Sequence, residues 1–346
     1  MAAWSIGFSP RKRRWLALFA GERARPWREG CLVCQDDTIY VWGDTFVPSQ
    51  LQHARIVRVE DGFVRSVGLG AAFAPPASWV FDSQGLHHWG HSRTDLEDLL
   101  NTYECSESDL RLGAQLLHLW RALRLSKYNL SDEDNAPFQF DSKAKRSGKR
   151  ILAIGQVASD AALRGIAPGG VRSNMGLLAN IRRKEPDAHI VYKRHPDVVS
   201  RLRPGDDADA LLLADQVVES QGLRTLALLF DEIHVINSLA GFEALMLGAK
   251  VVCHATPFYA GWGLTQDLAA CPRRTKRRTL QEVVAIALGL YPRYICPKTR
   301  RPASAQEVFQ ALHDLREQQQ LSGWKSAVSL WLARQAQGLL RLRGGR

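Results

Sequence analysis

The sequence predicts an α/β chain built as two parallel-sheet domains, and three observations carry that expectation. Its 346 residues amount to about two domains at roughly 100–200 residues each. Short apolar runs alternate with stretches of helical periodicity, the signature of βαβ units. The polar, charged, aliphatic-poor stretch 131–149, SDEDNAPFQFDSKAKRSGK, separates the two halves as a linker. The expected division is 1–148 and 149–303, with helices over 304–346 packing back on the first domain.

Composition narrows the function. With 45% hydrophobic residues the chain can bury a core in each domain, and its formal charge of +11 suits an anionic partner: nucleic acid, a nucleotide-sugar or an anionic membrane surface. No apolar run reaches the roughly 18 residues of a spanning helix. The basic start MAAWSIGFSPRKRRW lacks a signal-peptide core, so a cytoplasmic protein is expected. Of six cysteines only Cys31 and Cys34 form a C-x-x-C pair. Without a second pair or spaced histidines these read as buried thiols, not a zinc site.

In chain order, Trp4–Gly7 reads as a strand and Arg11–Phe19 as a basic helix. Gly30–Cys34, Ile39–Trp42 and Ala54–Val59 read as further strands. The last runs into Arg58–Gly70, RVEDGFVRSVGLG, where Glu60 and Asp61 are either solvated charges on a turn or a general base held in a cleft. Leucines at three- and four-residue steps over 94–125 predict core-packing helices. Arg150–Ile154 opens the second domain as a strand with exit loop GQVASD, Gly155–Asp160. A helix over Ser173–Arg183 and a strand over His189–Lys193 follow. Pro196 pushes His195 out of the α region, which displays the imidazole at a strand tip beside Lys193 and Arg194. The formal D-x-D in Asp206–Asp209 follows Pro204-Gly205 on an exposed-looking turn and does not resemble a metal clamp.

The stretch Glu232–Thr265, EIHVINSLAGFEALMLGAKVVCHATPFYAGWGLT, reads as β-loop-α-β: a strand at Ile233–Ile236, a helix ending at the C-cap Gly248, and a strand at Lys250–Cys253. Ligands of open parallel sheets sit beyond the carboxyl ends of strands, where helix N-termini offer free N–H groups to phosphate. Ser238, Ala240 and Gly241 therefore form a candidate anion cradle. Glu243 could reach a ribose diol or cap its own helix. A basic loop Cys271–Arg278, a helix over Leu280–Leu288 and the segment Tyr291–Pro302 follow. Gly323–Arg346 carries five basic residues and no acids; as a helix it would suit core packing in front and an anionic membrane contact behind.

The blocks VEDGFVRSVGLG, QVASD, KRHPD, SLAGFEALMLGAKVVCHATPFYAGWGLT and YICPKT occur in the order found in the KpsC/LipB family of bacterial capsular polysaccharide Kdo transferases. The chain resembles that family over roughly Trp4–Pro302. The resemblance implies a GT-B fold, with two Rossmann-like domains around an interdomain cleft. It also implies CMP-β-Kdo as donor, a Kdo-bearing phospholipid as acceptor, and retention of the β configuration. Family members usually carry two such modules in one chain, and this sequence holds one. Residue by residue, Gln156 and Asp160 match the Q-x-x-x-D motif, whose acid looks like the nucleophile of a double displacement. His195-Pro196 matches the HP motif that contacts the CMP phosphate. Ser238, Gly241 and Glu243 fall where GT-B enzymes hold phosphate and ribose. Glu60 and Asp61 match the ED motif facing the acceptor, and Arg65 is a further candidate for a carboxylate contact.

These residue types suit the chemistry. Kdo and CMP are both anionic, so Lys193, Arg194, His195 and a helix N-terminus balance charge. Retention through two inversions needs a carboxylate under the anomeric carbon. CMP leaves well with its single phosphate, so neither a metal nor another cofactor is expected. Another GT-B enzyme using a CMP-sugar shares the fold and the ribose-binding Glu but not the EDGFVRS and PFYAGWGLT blocks. A nucleic-acid-binding protein would interleave basic residues with exposed aromatics, whereas the tryptophans here lie mostly in apolar runs; no nucleic-acid partner is expected.

Overall fold

The computed structural model describes residues 1–68, 74–129, 137–141, 148–166, 170–200, 205 and 207–322. The chain opens with β1 (Ala3–Ile6) and α1 (Pro10–Ala20), whose N-cap Ser9 accepts the Lys12 N–H while Pro10 fits the first turn. β2 (Arg25–Pro26), β3 (Thr38–Trp42), β4 (Arg55–Asp61) and β5 (Ser78–Asp82) follow, then α2 (Asp95–Thr102) and α3 (Glu107–Ala122). The second half runs β6 (Arg150–Ile154), α4 (Ala161–Arg164), α5 (Asn174–Lys184), β7 (His189–Lys193), α6 (Pro196–Val199), β8 (Gln216–Val218) and α7 (Leu223–Leu226). It continues with β9 (Glu232–Val235), α8 (Leu239–Leu247), β10 (Val251–Cys253) and β11 (Gln266–Asp267). The chain then passes through α9 (Leu280–Val284), a π-helical turn Ala285–Leu290, β12 (Pro292–Tyr294) and α10 (Ala305–Ser322).

Two six-stranded sheets result. The first has the order β12-β5-β4-β3-β1-β2, parallel from β4 to β2, with β5 and β12 antiparallel. The second has the order β11-β10-β9-β6-β7-β8 and is parallel throughout. Its central strands are buried on both faces, which explains why they read as continuous apolar runs. The α8 C-terminus closes on Gly248 at φ 94, a left-handed position that glycine tolerates best.

Several expectations change. Gly30–Cys34 forms no strand: it is a turn and loop with Leu32 fully in solvent and Cys34 exposed, so the C-x-x-C thiols are not core. The register of the first sheet passes from β1 directly to β3, which leaves no slot for another strand there. Pro292–Tyr294, expected with the second domain up to residue 303, joins the first sheet instead. Tyr291 Oη donates to buried Asp82, and α9 lies so close to α3 that a Cβ on Gly113 would sit 2.2 Å from the Gln281 carbonyl oxygen. The last described helix, α10, follows the same course, with Arg316 donating to the Leu123 and Arg124 carbonyls. The helix read over Leu280–Leu288 is an α turn that widens into a π turn. Within the expected linker, Phe138 and Phe140 pack on Phe230. Asp207 is not on an exposed turn; it is buried and accepts from Tyr192 Oη and Arg194 Nε. Asp206 and the tail Gly323–Arg346 lie outside the described residues. Among the described residues no helix is long and apolar enough to cross a membrane.

The basic loop 271–278 ties the halves together. Glu97 of α2 is 4% exposed and accepts from Arg273 Nε at 2.6 Å and from equally buried Arg274 Nε at 3.0 Å. Arg278 adds bonds to the Leu100 and Tyr103 carbonyls. Removing one partner of a buried ion pair leaves the other charge uncompensated. Glu97→Ala is therefore expected to cost about 3 kcal/mol or more of unfolding free energy. Arg93→Ala, which breaks the solvent-facing Arg93–Asp98 pair, should cost under about 1 kcal/mol. Urea unfolding followed by tryptophan fluorescence measures both, and equal small losses would remove the clamp from the account of stability.

Candidate active site

Numbered within its own domain, the second sheet has the doubly wound order 3-2-1-4-5-6, whose ligand crevice opens where the order reverses. That point lies between β6 and β9. The loops leaving these two strands carry Gln156–Asp160 and Asn237–Ser238, so topology alone brings the two motifs to one place. The C-terminal end of β4, with Glu60 and Asp61, faces them from the first domain. Between them lies a cleft of about 480 Å³ lined by Glu60, Lys127, Asp160, His195, Ser238 and Glu243 among others.

Asp160 is held at both oxygens. Oδ1 accepts the Ala162 N–H at 3.0 Å, capping α4, and Oδ2 accepts from Gln156 Nε2 at 3.0 Å. Burial alone would push its carboxyl up. Those two hydrogen bonds, with Lys127 and His88 nearby, outweigh burial and hold it below the usual carboxylate value. Gln156, expected among the donor contacts, is itself buried and engaged at both ends of its amide, since Oε1 accepts the Asn237 N–H. Its backbone is fixed in turn by Asn174, which accepts from Gln156 N and donates to Gln156 O. Gln156 thus orients Asp160.

On the same side, His195 caps α6, whose first residue is Pro196, and its Nδ1 accepts the Asp197 N–H at 3.1 Å. An accepting Nδ1 places the ring proton on Nε2, which becomes a donor. Burial lowers the His195 pKa and keeps the ring neutral. Lys193 ends β7 as a buried residue on the cleft wall. Arg194 also lines the cleft, but its guanidinium pairs with Asp207 and Glu219. Ser238 caps α8 by accepting from Ala240 N at 3.2 Å, and Tyr259 Oη donates to the Ser238 carbonyl. A Cβ on Gly241 would fall 2.1 Å from that Tyr259 hydroxyl, so only glycine lets the first turn of α8 settle against the aromatic block Phe258–Trp262. Glu243 Oε1 accepts the Lys127 N–H at 2.8 Å, across from the first domain.

Glu60 and Asp61 differ in environment. Both Asp61 oxygens are engaged, by Trp79 Nε1 at 3.1 Å and by Arg65 Nε at 2.6 Å. Arg65, expected at a ligand carboxylate, is a buried brace for Asp61, with Ser66 Oγ and the Ala74 carbonyl on its other nitrogen. A guanidinium out of water needs an anion beside it, and Asp61 is that anion. Among the described residues the Glu60 carboxylate accepts only the Asp61 N–H, at 2.8 Å. Burial first, and the Asp61 charge second, push its carboxyl up to about 7 against the pull of that N–H, Lys127 and Lys12.

Sequence reasoning missed three cleft residues. Lys127 follows α3 in a short stretch with no periodicity, and a lysine before a linker carries no motif signal. His87 and His88 stand in a loop after β5, where an adjacent His pair is the only clue. His87 Nδ1 and His88 Nε2 are buried without a hydrogen-bond partner among the described residues. Burial holds His88 down to about 4, and burial with the adjoining His88 and Lys127 holds His87 well below the usual histidine value.

The capsule polysaccharide biosynthesis protein family matches residues 44–292. Two Neisseria meningitidis capsule polysaccharide modification proteins, both named LipA, are 39% and 38% identical over 286 residues, or 81% of this chain and 40% of theirs. The Rhizobium meliloti lipopolysaccharide-processing protein LpsZ is 32% identical over 281 residues, 78% of this chain and 62% of its own. The chain therefore spans less than half the length of the two LipA proteins and just under two thirds of LpsZ. Among solved structures, the β-Kdo 2,4 transferase of Thermosulfurimonas dismutans KpsC superposes with a TM-score of 0.78 at 31% identity, covering 90% of this chain and 98% of that one. The β-Kdo 2,7 transferase of the same KpsC gives 0.74 at 30%, covering 91% and 100%. Sequence match and fold agree: the chain belongs to the capsule polysaccharide biosynthesis protein family, on the KpsC-like branch.

Proposed function

We propose that the protein is a retaining β-Kdo transferase that moves Kdo from CMP-β-Kdo to a Kdo-bearing phospholipid by double displacement in a GT-B cleft. The observation that carries this reading is the meeting of Asp160 and Glu60, one from each domain, across one cleft. Its companions are the likeness to the two KpsC transferases and the charge of +11, which suits an anionic donor and an anionic inner-membrane surface. No metal or cofactor enters the scheme.

In the first step an Asp160 oxygen bonds to the anomeric carbon as its bond to CMP breaks, and CMP leaves with the electron pair. Lys193, the His195 Nε2–H and the start of α8 at Ser238, Ala240 and Gly241 face the departing phosphate; Glu243 faces the ribose. In the second step an acceptor hydroxyl displaces Asp160 and passes its proton to Glu60. Glu60 suits this work better than Asp61, whose oxygens are already bonded. A base near pKa 7 is also matched to a neutral reaction.

Incubation with CMP-Kdo and a short Kdo acceptor, with mass spectrometry and NMR linkage analysis of the product, tests the reading directly; an α-linked product would end the double-displacement scheme. Asp160→Asn is expected to fold, to bind CMP and to lose nearly all turnover, while wild-type Asp160 gains a Kdo mass when donor is supplied alone. A cap accounts for about 1 kcal/mol of stability and little activity. A folded Asp160→Asn enzyme at a tenth of the wild-type rate would therefore move the nucleophile elsewhere.

Glu60 yields a paired prediction. Its folded pKa of about 7 lies above the usual 4.5 of a free glutamate, so the folded state holds this proton more tightly than the unfolded one. The associated stability is complete below about pH 4.5 and is lost as pH rises through 7. Glu60→Gln keeps the acceptor for the Asp61 N–H but never ionises. It should melt higher than wild type at pH 8, match it near pH 4, and be inactive at both. Differential scanning calorimetry at the two pH values checks the sign, and a lower melting temperature at pH 8 would contradict it.

A further inference from the structure

We propose that Lys127 is the receptor for the carboxylate of the donor sugar, so that one ammonium from the first domain selects 2-keto-acid sugars and seats the anomeric carbon over Asp160. This rests on the transferase reading and adds to it the group that recognises the sugar. The chemistry creates the need. The anomeric carbon of such a sugar bears a carboxylate, and the attacking group is itself a carboxylate. Two like charges brought to bonding distance in a partly dry cleft repel strongly unless a cation stands between them.

The cleft's other cations are engaged or lie elsewhere. Arg194 is paired with Asp207 and Glu219, and Arg164 with Asp44 at the rim. Arg224 donates to the Leu125 carbonyl and lies over Trp120, Arg124 is exposed to solvent, and Arg65, behind the lining, is paired with Asp61. Lys193 belongs to the nucleotide side, at the end of β7. The Lys127 ammonium has no hydrogen-bond or ion-pair partner among the described residues, and the nearest aromatic face is Tyr128 at 5.4 Å. Burial opposes its charge, yet Tyr128, Asp61, Glu60 and Asp160 together raise its pKa and keep it protonated. It therefore answers electrostatically to the nucleophile and the base at once.

The loop that presents it is built for position. Arg124 and Asn129 bracket it with φ of 50° and 48°, left-handed values that asparagine tolerates and that are uncommon for arginine. Ser126 and Asn129 lock each other: Ser126 N donates to Asn129 Oδ1 at 3.0 Å and Asn129 N to Ser126 Oγ at 2.9 Å. Asn129 Nδ2 donates to the Ser66 carbonyl. The Lys127 carbonyl accepts from Arg65 N at 3.0 Å and Ser66 N at 3.3 Å, and its N–H donates to Glu243 in the other domain. Every main-chain polar group of Lys127 is thus committed to a fixed partner, and only the side chain is left to meet a ligand.

The test uses Lys127→Met and Lys127→Arg in the full chain, with CMP and CMP-Kdo as probes. CMP carries no sugar carboxylate. Lys127→Met should bind it within about twofold of wild type, which also reports correct folding, while formation of the Asp160–Kdo adduct from donor alone slows by roughly 10–100-fold, the loss of one charge-assisted contact. Lys127→Arg should recover part of that rate. Because Lys127 also lowers the Glu60 pKa, the acid limb of the transfer–pH profile should move upward in Lys127→Met, which a merely structural loop residue would not cause. Equal losses of CMP and donor binding would assign Lys127 to the phosphate and overturn the proposal. So would normal adduct formation with a raised acceptor KM, which would place it on the acceptor. If wild-type enzyme neither forms an adduct nor transfers Kdo, the transferase reading falls and this inference with it.

Discussion

Carboxylates from two domains share one partly dry cleft, and the positions of the surrounding groups follow from keeping that arrangement stable. Asp61 is neutralised within its own sheet by Arg65 and Trp79. Asp160 is neutralised within its own domain by the Ala162 N–H and Gln156. Glu60 has the least local compensation, and its raised pKa is the direct consequence. Asp160 and Glu60 therefore differ in proton affinity although both are carboxylates, and the proposed mechanism, which attacks with one and passes a proton to the other, needs that difference. Lys127 is the cation common to all three.

A cleft of this kind works only if its two walls keep their register. The wall contacts are of two sorts. Far from the chemistry the halves are fastened by Glu97 with Arg273 and Arg274, by Arg278 on the end of α2, and by the return of β12 and α10 to the first domain. At the cleft the halves meet through polar contacts, Asp44 with Arg164, His91 with the Gly165 carbonyl, Lys127 N–H with Glu243 and Asn237 with the His88 carbonyl, and through the Phe63 ring packed on Phe242 and Phe258.

Much of the second domain was legible in the sequence because its strands are buried on both faces and appear as unbroken apolar runs ended by turn residues. The positions of Asp160, His195 and Ser238 followed from where those runs stop. The first domain was harder. Gly30–Cys34 has strand-like composition, but no neighbouring strand offers it an edge, and composition cannot reveal a missing partner. β12 is three residues long, and its pairing with β5 depends on α9 crossing to α3, a tertiary event with no local mark. Arg65 and Arg194 illustrate a related blindness. Each was matched to a ligand by its type and place, yet each lies beside protein carboxylates that claim it first. Lys127 is the converse, a residue without motif or periodicity that reaches the cleft wall because the hydrogen-bonded loop around it is held in place.

The two roles open to Asp160, helix cap and nucleophile, turn out to be compatible. Capping uses Oδ1, and the Gln156 amide steadies Oδ2, so the carboxylate plane is fixed before any sugar arrives. The same bonds outweigh the effect of burial and stabilise the anion. A stabilised carboxylate is a weaker nucleophile but a better leaving group. In the double displacement proposed above, at a fully substituted anomeric carbon, that trade would favour the second step, in which Asp160 would depart from a crowded centre. In the same proposal CMP, a good leaving group, would make the first step the less demanding of the two. On the proposed mechanism, the cap is thus part of the chemistry: it holds the nucleophile in place and lowers its basicity enough for the adduct to open again.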